Sequence, residues 1–215
     1  MKMNLPNKLT VIRLIMVPIF MAVMLIPVLA SLSPLANDIL TLVGAFLFIA
    51  ASVTDMLDGK IARKHNLVTD FGKFLDPLAD KFMVIGALVC IFLNSAFSGN
   101  KIMTIVYFFA LVIIIFRELA VTSIRLVASS TGGVVIAANM LGKIKTVTQI
   151  VAISATLIEP VLMKILASIL NSHVPTAISA YPPVTCIATL LMIYFTIHSG
   201  INYLVGAWKY LDPEK

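Results

Sequence analysis

Residues 55–80 read DMLDGKIARKHNLVTDFGKFLDPLAD and place five aspartates between two strongly apolar stretches. Asp55 and Asp58 stand at i and i+3, on one face of a helix. Asp76 and Asp80 stand at i and i+4 and also share a face. Unscreened carboxylates in so apolar a chain are costly, and hard divalent cations with oxygen ligands remove that cost. Two facing pairs of carboxylates therefore predict a site for two cations, an arrangement suited to phosphoryl transfer.

A single aspartate here would fit better as a solvated cap at the end of a membrane helix. Asp70 is such a case, because it matches neither face and, with Thr69, suits capping of the third helix. The two spacings taken together, with Gly59 and Gly72, favour the metal site over four caps. The glycines fit helix packing, or they leave room for a ligand beside the metals. Arg63 suits either a membrane-surface anchor or a grip on a phosphate.

The elements that must position these residues are apolar helices. The chain has 215 residues, is 60% hydrophobic and 12% charged, and has a mean hydropathy of +1.04. A soluble domain of this size could not bury so much apolar surface. Apolar runs recur throughout, so we predict an all-α polytopic membrane protein, one domain over residues 1–215, whose first helix is retained. The six predicted transmembrane helices span about 9–31, 37–64, 71–93, 102–129, 138–170 and 183–204.

Basic residues predict the orientation. The linkers after the first, third and fifth helices hold almost no Lys or Arg, with Lys101 and Lys164 as the exceptions, whereas the other ends are rich in them. The positive-inside rule then puts both termini and the aspartates on the cytoplasmic side. The net charge of +6 suits an anionic leaflet or anionic substrates, and nothing indicates nucleic-acid binding. We therefore expect a polar, metal-binding cavity at the cytoplasmic side of the helices.

A second group of charges lies further along the chain, in FRELAVTSIRL of the fourth helix and LGKIKT of the fifth. Arg117 and Arg125 are close to two helical turns apart and so lie on nearly the same face. Together with Lys143 and Lys145 they would form a second phosphate pocket. Alternatively, Arg125, Lys143 and Lys145 only anchor the helices at the membrane interface. Glu118 either pairs with Arg125 or another cation, or faces substrate. Such a pocket favours an acceptor that carries its own phosphate over serine or free inositol.

The aspartate segment follows the pattern D-x-x-D-G-x-x-A-R-x8-G-x3-D-x3-D and matches the signature of the CDP-alcohol phosphotransferase (phosphatidyltransferase) family at every fixed position. The resemblance extends over the chain, since that family also has six transmembrane helices and a cytosolic-side site. It implies a homodimer and two divalent cations, Mg²⁺ or Mn²⁺. It also implies that Asp80 acts as general base on the acceptor hydroxyl. The implied metal ligands are Asp55, Asp58, Asp76 and Asp80, and the implied CDP-binding residues are Gly59, Ala62, Gly72 and, on the diphosphate, Arg63.

Within the family, the RE…T…R and GKIK patterns and the opening NLPNKLTVIRL resemble bacterial phosphatidylglycerophosphate synthases. This resemblance implies transfer of phosphatidyl from CDP-diacylglycerol to sn-glycerol 3-phosphate in the cell membrane, giving phosphatidylglycerophosphate and CMP. The acceptor's phosphate would then lie at the four cations. Asn7, Thr10 and Arg13 share a helix face. By resemblance Pro6 and Asn7 would lie near the cytidine, although simple helix capping by Asn7 fits equally well.

Three other functions fit parts of this pattern. A cardiolipin synthase of the same family would need a lipid-sized groove for its acceptor, phosphatidylglycerol. A phosphatidylinositol-phosphate synthase also accepts a phosphorylated alcohol. A cation transporter could be lined by the aspartates, but it would favour acids near the bilayer midplane and unwound helices at matching positions in two halves. The acids here lie near one face, so we favour the enzyme.

Overall fold

The computed structural model describes residues 4–30, 32–64, 69–97, 100–132, 140–170 and 175–208. This part of the chain is almost entirely helical and contains no strand, which confirms the predicted all-α class. Six helices are long and apolar enough to cross a membrane. The predicted helix ends at residues 31 and 138 lie outside the described residues. The helices are α1 (Leu5–Leu29), α2 (Pro34–Lys64), α3 (Asp70–Phe97), α4 (Lys101–Gly132), α5 (Met140–Ile169), the short α6 (Thr176–Ala180) and α7 (Pro183–Ala207).

Helix α1 begins earlier than its apolar run suggested, because a polar cap precedes it. The side chain of Asn4 accepts a hydrogen bond from the backbone N–H of Asn7 at 3.1 Å, and Pro6 occupies the first turn. Both features are favourable at a helix N-terminus, where the first N–H groups lack partners within the helix. Asn7 therefore lies inside α1, and its alternative interpretation as the helix cap is wrong.

Helix α1 packs against both α2 and α3, whereas α2 and α3 have little contact with each other. The packing is close: the Phe20 and Phe48 rings lie 6.0 Å apart, and a Cβ at Gly86 would lie 2.9 Å from the sulfur of Met21. The two facing pairs of aspartates predict that α2 and α3 face each other directly. Instead, residues of α1 stand between the two helices that carry the aspartates.

The remaining helices complete the bundle around a cavity. Helix α5 packs against α2 and α7, and α4 packs against α3 and α7. The start of α7 is held by Glu159 of α5, whose carboxylate accepts the N–H groups of Val184 at 3.0 Å and Thr185 at 2.6 Å. Because a charged acceptor satisfies these N–H groups in the first turn of the helix, α7 is tied to α5 at the end of the bundle farthest from the aspartates.

Candidate functional site

Arg13 of α1 joins the two aspartate-bearing helices. Its Nη1 donates to Asp55 of α2 at 2.5 Å and to Asp80 of α3 at 3.2 Å. The arginine side chain is fully buried, while the two aspartates are partly exposed. A charge buried in an apolar bundle is stable only when it is paired, so the two carboxylates and the guanidinium hold each other in place.

Thr10, one turn before Arg13, orients Asp76. Its hydroxyl donates to Asp76 Oδ1 at 2.7 Å, a length typical of a hydrogen bond to a carboxylate. Thr10 is itself buried. Helix α1 thus presents a hydroxyl and a guanidinium on one face, and together they contact Asp55, Asp76 and Asp80.

The start of α3 is tied to the start of α1. Thr69 Oγ1 accepts the N–H of Gly72 at 3.1 Å and donates to Asn7 Oδ1 at 3.0 Å. The predicted capping of the third helix is therefore confirmed for Thr69. A Cβ at Gly72 would lie 3.0 Å from Asn7 Oδ1 and 3.3 Å from Thr69 Oγ1, both tighter than side chains normally approach, and 3.8 Å from Asp76 Oδ2. Glycine allows this close approach beside Asp76.

Four predicted site residues lie in the last turns of α2, and the structure does not describe the side chains of three of them. Gly59 lies in the last turns of α2, beyond Asp55. The side chains of Asp58, Ala62 and Arg63 lie outside the described residues, although the backbone of α2 extends past them. Their assignments as a metal ligand and as CDP-binding residues remain predictions.

The predicted cations meet on helices α4 and α5. Glu118 Oε1 accepts from Arg117 Nη1 at 3.0 Å and forms a short hydrogen bond with Lys145 Nζ. All three side chains are largely buried. Of the roles considered for Glu118, the structure thus shows pairing with two cations, neither of which is Arg125.

Arg125 and Lys143 are more exposed than the buried pair. Arg125 Nε donates to the hydroxyl of Tyr203 on α7 at 3.0 Å, and its guanidinium carbon lies 5.2 Å from the centre of that ring. Lys81, the neighbour of Asp80, donates to Thr122 Oγ1 on α4 at 2.5 Å. Lys81 and Tyr203 were not predicted as site residues.

Both groups open into one cavity of about 1180 Å³ between the helices. Apolar side chains of α2 and α5, among them Val53, Ile150 and Ile158, continue the wall of the cavity along the bundle. The cavity thus places acids, cations and a long apolar wall next to one another. Its charged lining residues are Asp55, Asp76, Asp80, Lys81, Arg117, Glu118, Arg125, Lys143, Lys145 and Glu159.

The donor atoms of the aspartates fit hard divalent cations. Asp55, Asp76 and Asp80 offer carboxylate oxygens alone, the ligands that Mg²⁺ and Mn²⁺ prefer. Asp55 and Asp80 converge on a single nitrogen of Arg13, so both reach one centre of positive charge. Among the described residues, no three His, Cys, Asp or Glu side chains form a closed metal cluster. The Asp58 carboxylate is not among the described side chains.

The contacts of Arg13 and Thr10 with the aspartates were not predicted from the sequence, which showed only that both residues share a helix face with Asn7. The signal was present, because a charged residue inside a membrane helix usually serves a site or a partner. What the sequence did not show is that α1 lies between α2 and α3.

These features define a membrane enzyme of the CDP-alcohol phosphatidyltransferase family. The chain belongs to this family, whose sequence model matches residues 3–209. The predicted family and the enzyme class are therefore confirmed. Members of the family generally depend on divalent cations, in agreement with the carboxylate-rich site.

The chain is similar to three curated relatives from bacteria. It is 41% identical over 214 residues to the CDP-diacylglycerol–glycerol-3-phosphate 3-phosphatidyltransferase of Bacillus subtilis, which covers 98% of each chain. A protein of the same name from Mycoplasma genitalium is 38% identical over 160 residues, 71% of this chain and 64% of the relative. The probable phosphatidylglycerophosphate synthase of Mycobacterium tuberculosis is 35% identical over 150 residues, 70% of this chain and 64% of the relative.

Proposed function

We propose that this protein transfers the phosphatidyl group of CDP-diacylglycerol to the 1-hydroxyl of sn-glycerol 3-phosphate, forming phosphatidylglycerophosphate and CMP. The observation that carries this proposal is the single cavity in which three signature aspartates meet four cations. The names of relatives up to 41% identical over nearly the whole chain support the same acceptor. A lipid donor also fits the apolar wall, which gives acyl chains a path along the bundle.

The aspartate side would receive the CDP end of the donor. Asp55, Asp58, Asp76 and Asp80 would hold two divalent cations, Mg²⁺ or Mn²⁺, which neutralise the diphosphate and stabilise the departing CMP. Arg63, Gly59, Ala62, Gly72 and Asn7 would line the CDP pocket. Arg13 and Thr10 would keep Asp55, Asp76 and Asp80 oriented before the donor arrives, because their hydrogen bonds already fix these carboxylates.

Asp80 would act as general base. It accepts the proton of the acceptor's 1-hydroxyl as that oxygen forms a bond to the phosphorus attached to diacylglycerol. The bond from this phosphorus to the CMP oxygen breaks, and the electron pair leaves with CMP. Asp80 suits the role because its side chain is about half exposed, at 47%, and lines the cavity beside the predicted acceptor pocket.

The acceptor's phosphate would bind to Arg117, Arg125, Lys143 and Lys145. These cations border the same cavity as Asp80 but lie on α4 and α5, opposite the helices that carry the aspartates. A phosphate held there would direct the free hydroxyl of glycerol 3-phosphate towards Asp80. A phosphorylated alcohol is favoured over a neutral one, because phosphate oxygens accept charge-assisted hydrogen bonds from guanidinium and ammonium groups.

The test is product analysis with purified protein in the presence of Mg²⁺ or Mn²⁺. CDP-diacylglycerol is supplied with glycerol 3-phosphate, inositol phosphate, serine or phosphatidylglycerol in turn. We expect phosphatidylglycerophosphate and CMP from glycerol 3-phosphate alone, and no product after chelation. Cardiolipin formed from phosphatidylglycerol, or product from inositol phosphate at a comparable rate, would contradict the proposed acceptor.

We further propose that the protein is a homodimer with both termini and the site in the cytoplasm, where glycerol 3-phosphate is supplied. The distribution of Lys and Arg supports this orientation. Cysteines introduced singly at residues 98 and 182 should react with an impermeant reagent outside intact cells, whereas one at residue 66 should not. Labelling at residue 66 would reverse the orientation.

A further inference from the structure

Glu118 occupies an unusual position in the cation group. One of its carboxylate oxygens accepts hydrogen bonds from both Arg117, the preceding residue on α4, and Lys145, which lies on α5. The three side chains are only 13%, 14% and 9% exposed for Arg117, Glu118 and Lys145 respectively. Two of the four cations assigned to the acceptor are therefore already bound to an anion of the protein itself.

Glu118 is an anion among several cations that line the cavity. Lys81 on α3, Arg125 on α4 and Lys143 on α5 line the same cavity. The other acids that line the cavity are Asp55, Asp76, Asp80 and Glu159, and of these Asp55 and Asp80 are bound to Arg13. Without Glu118, the pocket would present a cluster of cations, two of them largely buried, that attracts small anions.

The contacts of Glu118 resemble those that a phosphate would make. A carboxylate oxygen and a phosphate oxygen both accept charge-assisted hydrogen bonds from guanidinium and ammonium groups, at similar distances. Arg117 also has a buried Nε with no hydrogen-bond partner within the described part of the chain. This Nε donor is available to a ligand oxygen, because Glu118 binds a different nitrogen of Arg117.

We propose that Glu118 is a positioning residue that competes with the acceptor's phosphate for Lys145 and Arg117. Before the acceptor binds, it holds the two cations together and balances one of their charges. When the phosphate enters, it takes over part of the bonding to Lys145 and Arg117. This inference rests on the proposed function, because it assigns a phosphate to this pocket.

The competition has a function at the end of the reaction. Phosphatidylglycerophosphate keeps the phosphate that entered with the acceptor, so the product remains attached to the same cations. A pocket that bound phosphate with four uncompensated cations would release this product slowly. Glu118 supplies an anion that can re-form its bonds to Lys145 and Arg117 as the product leaves, and thereby lowers the cost of release.

The helix that carries Glu118 does not depend on its carboxylate. Thr122 Oγ1 donates to the backbone carbonyl of Glu118 at 2.7 Å, and Lys81 donates to Thr122. Close packing also holds the stem of Arg117, since a Cβ at Gly200 would lie 3.2 Å from Arg117 Cγ. Glu118→Gln keeps the size and one accepting oxygen of the side chain, removes its charge and replaces the second oxygen with a donating NH2 group.

The test measures the affinity of purified protein for inorganic phosphate, by calorimetric titration and by its inhibition of turnover against glycerol 3-phosphate. In Glu118→Gln we expect phosphate to bind about tenfold more tightly, the size of one charge-assisted contact. The turnover number should fall because product release slows, and single-turnover formation of product should fall less. Asp38→Asn is the matched control: it removes one acid at the opposite end of α2, and its phosphate affinity should not change.

A purely structural role for Glu118 gives the opposite result. If Glu118 only held the two cations in place, phosphate would bind Glu118→Gln with equal or lower affinity, and the proposal would be wrong. Glu118→Asp keeps the charge but withdraws it by one methylene, so it should tighten phosphate binding by a smaller factor. This variant decides the question if Glu118→Gln does not fold, and unchanged or weaker binding in it would also contradict the proposal.

The two proposals fail in different ways. If the wild-type protein makes phosphatidylglycerophosphate and phosphate competes with glycerol 3-phosphate, the proposed function stands whatever the Glu118 variants show. If phosphate does not compete with glycerol 3-phosphate in the wild type, the acceptor pocket itself is misplaced, and the role of Glu118 is overturned with it.

Discussion

The two sides of the cavity are built with opposite charges in the same way. On the aspartate side, Asp55 and Asp80 share one buried cation, Arg13. On the cation side, Arg117 and Lys145 share one buried anion, Glu118. In each group one largely buried residue of the opposite charge holds together two side chains of like charge.

The difference lies in how the two groups are encoded. The aspartates come from one short segment of 26 residues, while their counter-charge comes from α1. The cations come from α4 and α5, and Glu118 is adjacent in sequence to one of them. The aspartate motif is therefore easy to recognise in the sequence, but it does not contain the residue that pairs with the aspartates. The cation group contains its own counter-charge, but its sequence pattern is less specific.

The largest effect is expected for the signature aspartates. Changing Asp55, Asp58, Asp76 or Asp80 singly to Asn removes a proposed metal ligand, or the base, and should lower the turnover number by about 10²–10⁴-fold or more while the protein still folds. The assay is CMP release in saturating Mg²⁺ or Mn²⁺. Asp70→Asn, in the same segment but on neither face, is the control and should retain near-normal activity. Near-normal turnover of any of the four would remove that residue from the site.

Arg13 tests whether the aspartate side depends on its buried counter-charge. Arg13→Gln leaves Asp55 and Asp80 without their shared cation, and we expect a loss of about 3 kcal/mol in the free energy of unfolding, together with a large loss of turnover. Arg13→Lys should restore part of both. Thermal unfolding in detergent, followed with activity, provides the measurement. If Arg13→Gln unfolded like the wild type, the cluster would not need its cation.

Arg125 and Lys143 test the cation side, since neither is bound to Glu118. A charge-assisted contact is worth about 1.5–3 kcal/mol, so Arg125→Ala and Lys143→Ala should each cost roughly ten- to a hundredfold. The loss should appear as a raised KM for glycerol 3-phosphate, and in kcat where the phosphate orients the hydroxyl. Steady-state kinetics with each substrate varied in turn is the measurement. Weaker CDP-diacylglycerol binding with an unchanged glycerol 3-phosphate response would show that these residues serve the donor instead.

The smallest effect is expected where a neutral group supports a cation. Tyr203→Phe removes the hydroxyl that accepts from Arg125 Nε but keeps the ring beside the guanidinium. Loss of one such hydrogen bond should raise the KM for glycerol 3-phosphate about three- to tenfold, less than Arg125→Ala. The double variant should be no worse than Arg125→Ala alone, because Tyr203 acts through that residue. Additive effects would mean that Tyr203 has a separate role.

The sequence by itself determined the class of fold and the identity of the aspartates. Apolar runs of sufficient length can cross a bilayer only as helices, because every backbone polar group must be paired within the segment. Spacings of three and four residues along a helix put Asp76 and Asp80, like Asp55 and Asp58, on one face whatever the helix packs against. These are local properties, so they could be predicted without knowing the neighbours of any helix.

Only the tertiary structure decided which charges meet. Arg13 lies 42 residues before Asp55 and 67 before Asp80 along the chain, and Lys145 lies 27 after Glu118, so no local spacing links them. Their pairing depends on α1 packing between α2 and α3, and on α5 lying close enough to α4 for Lys145 to reach Glu118. Such packing depends on side-chain shape over whole helices, and a periodic pattern shows which face is buried but not which helix covers it.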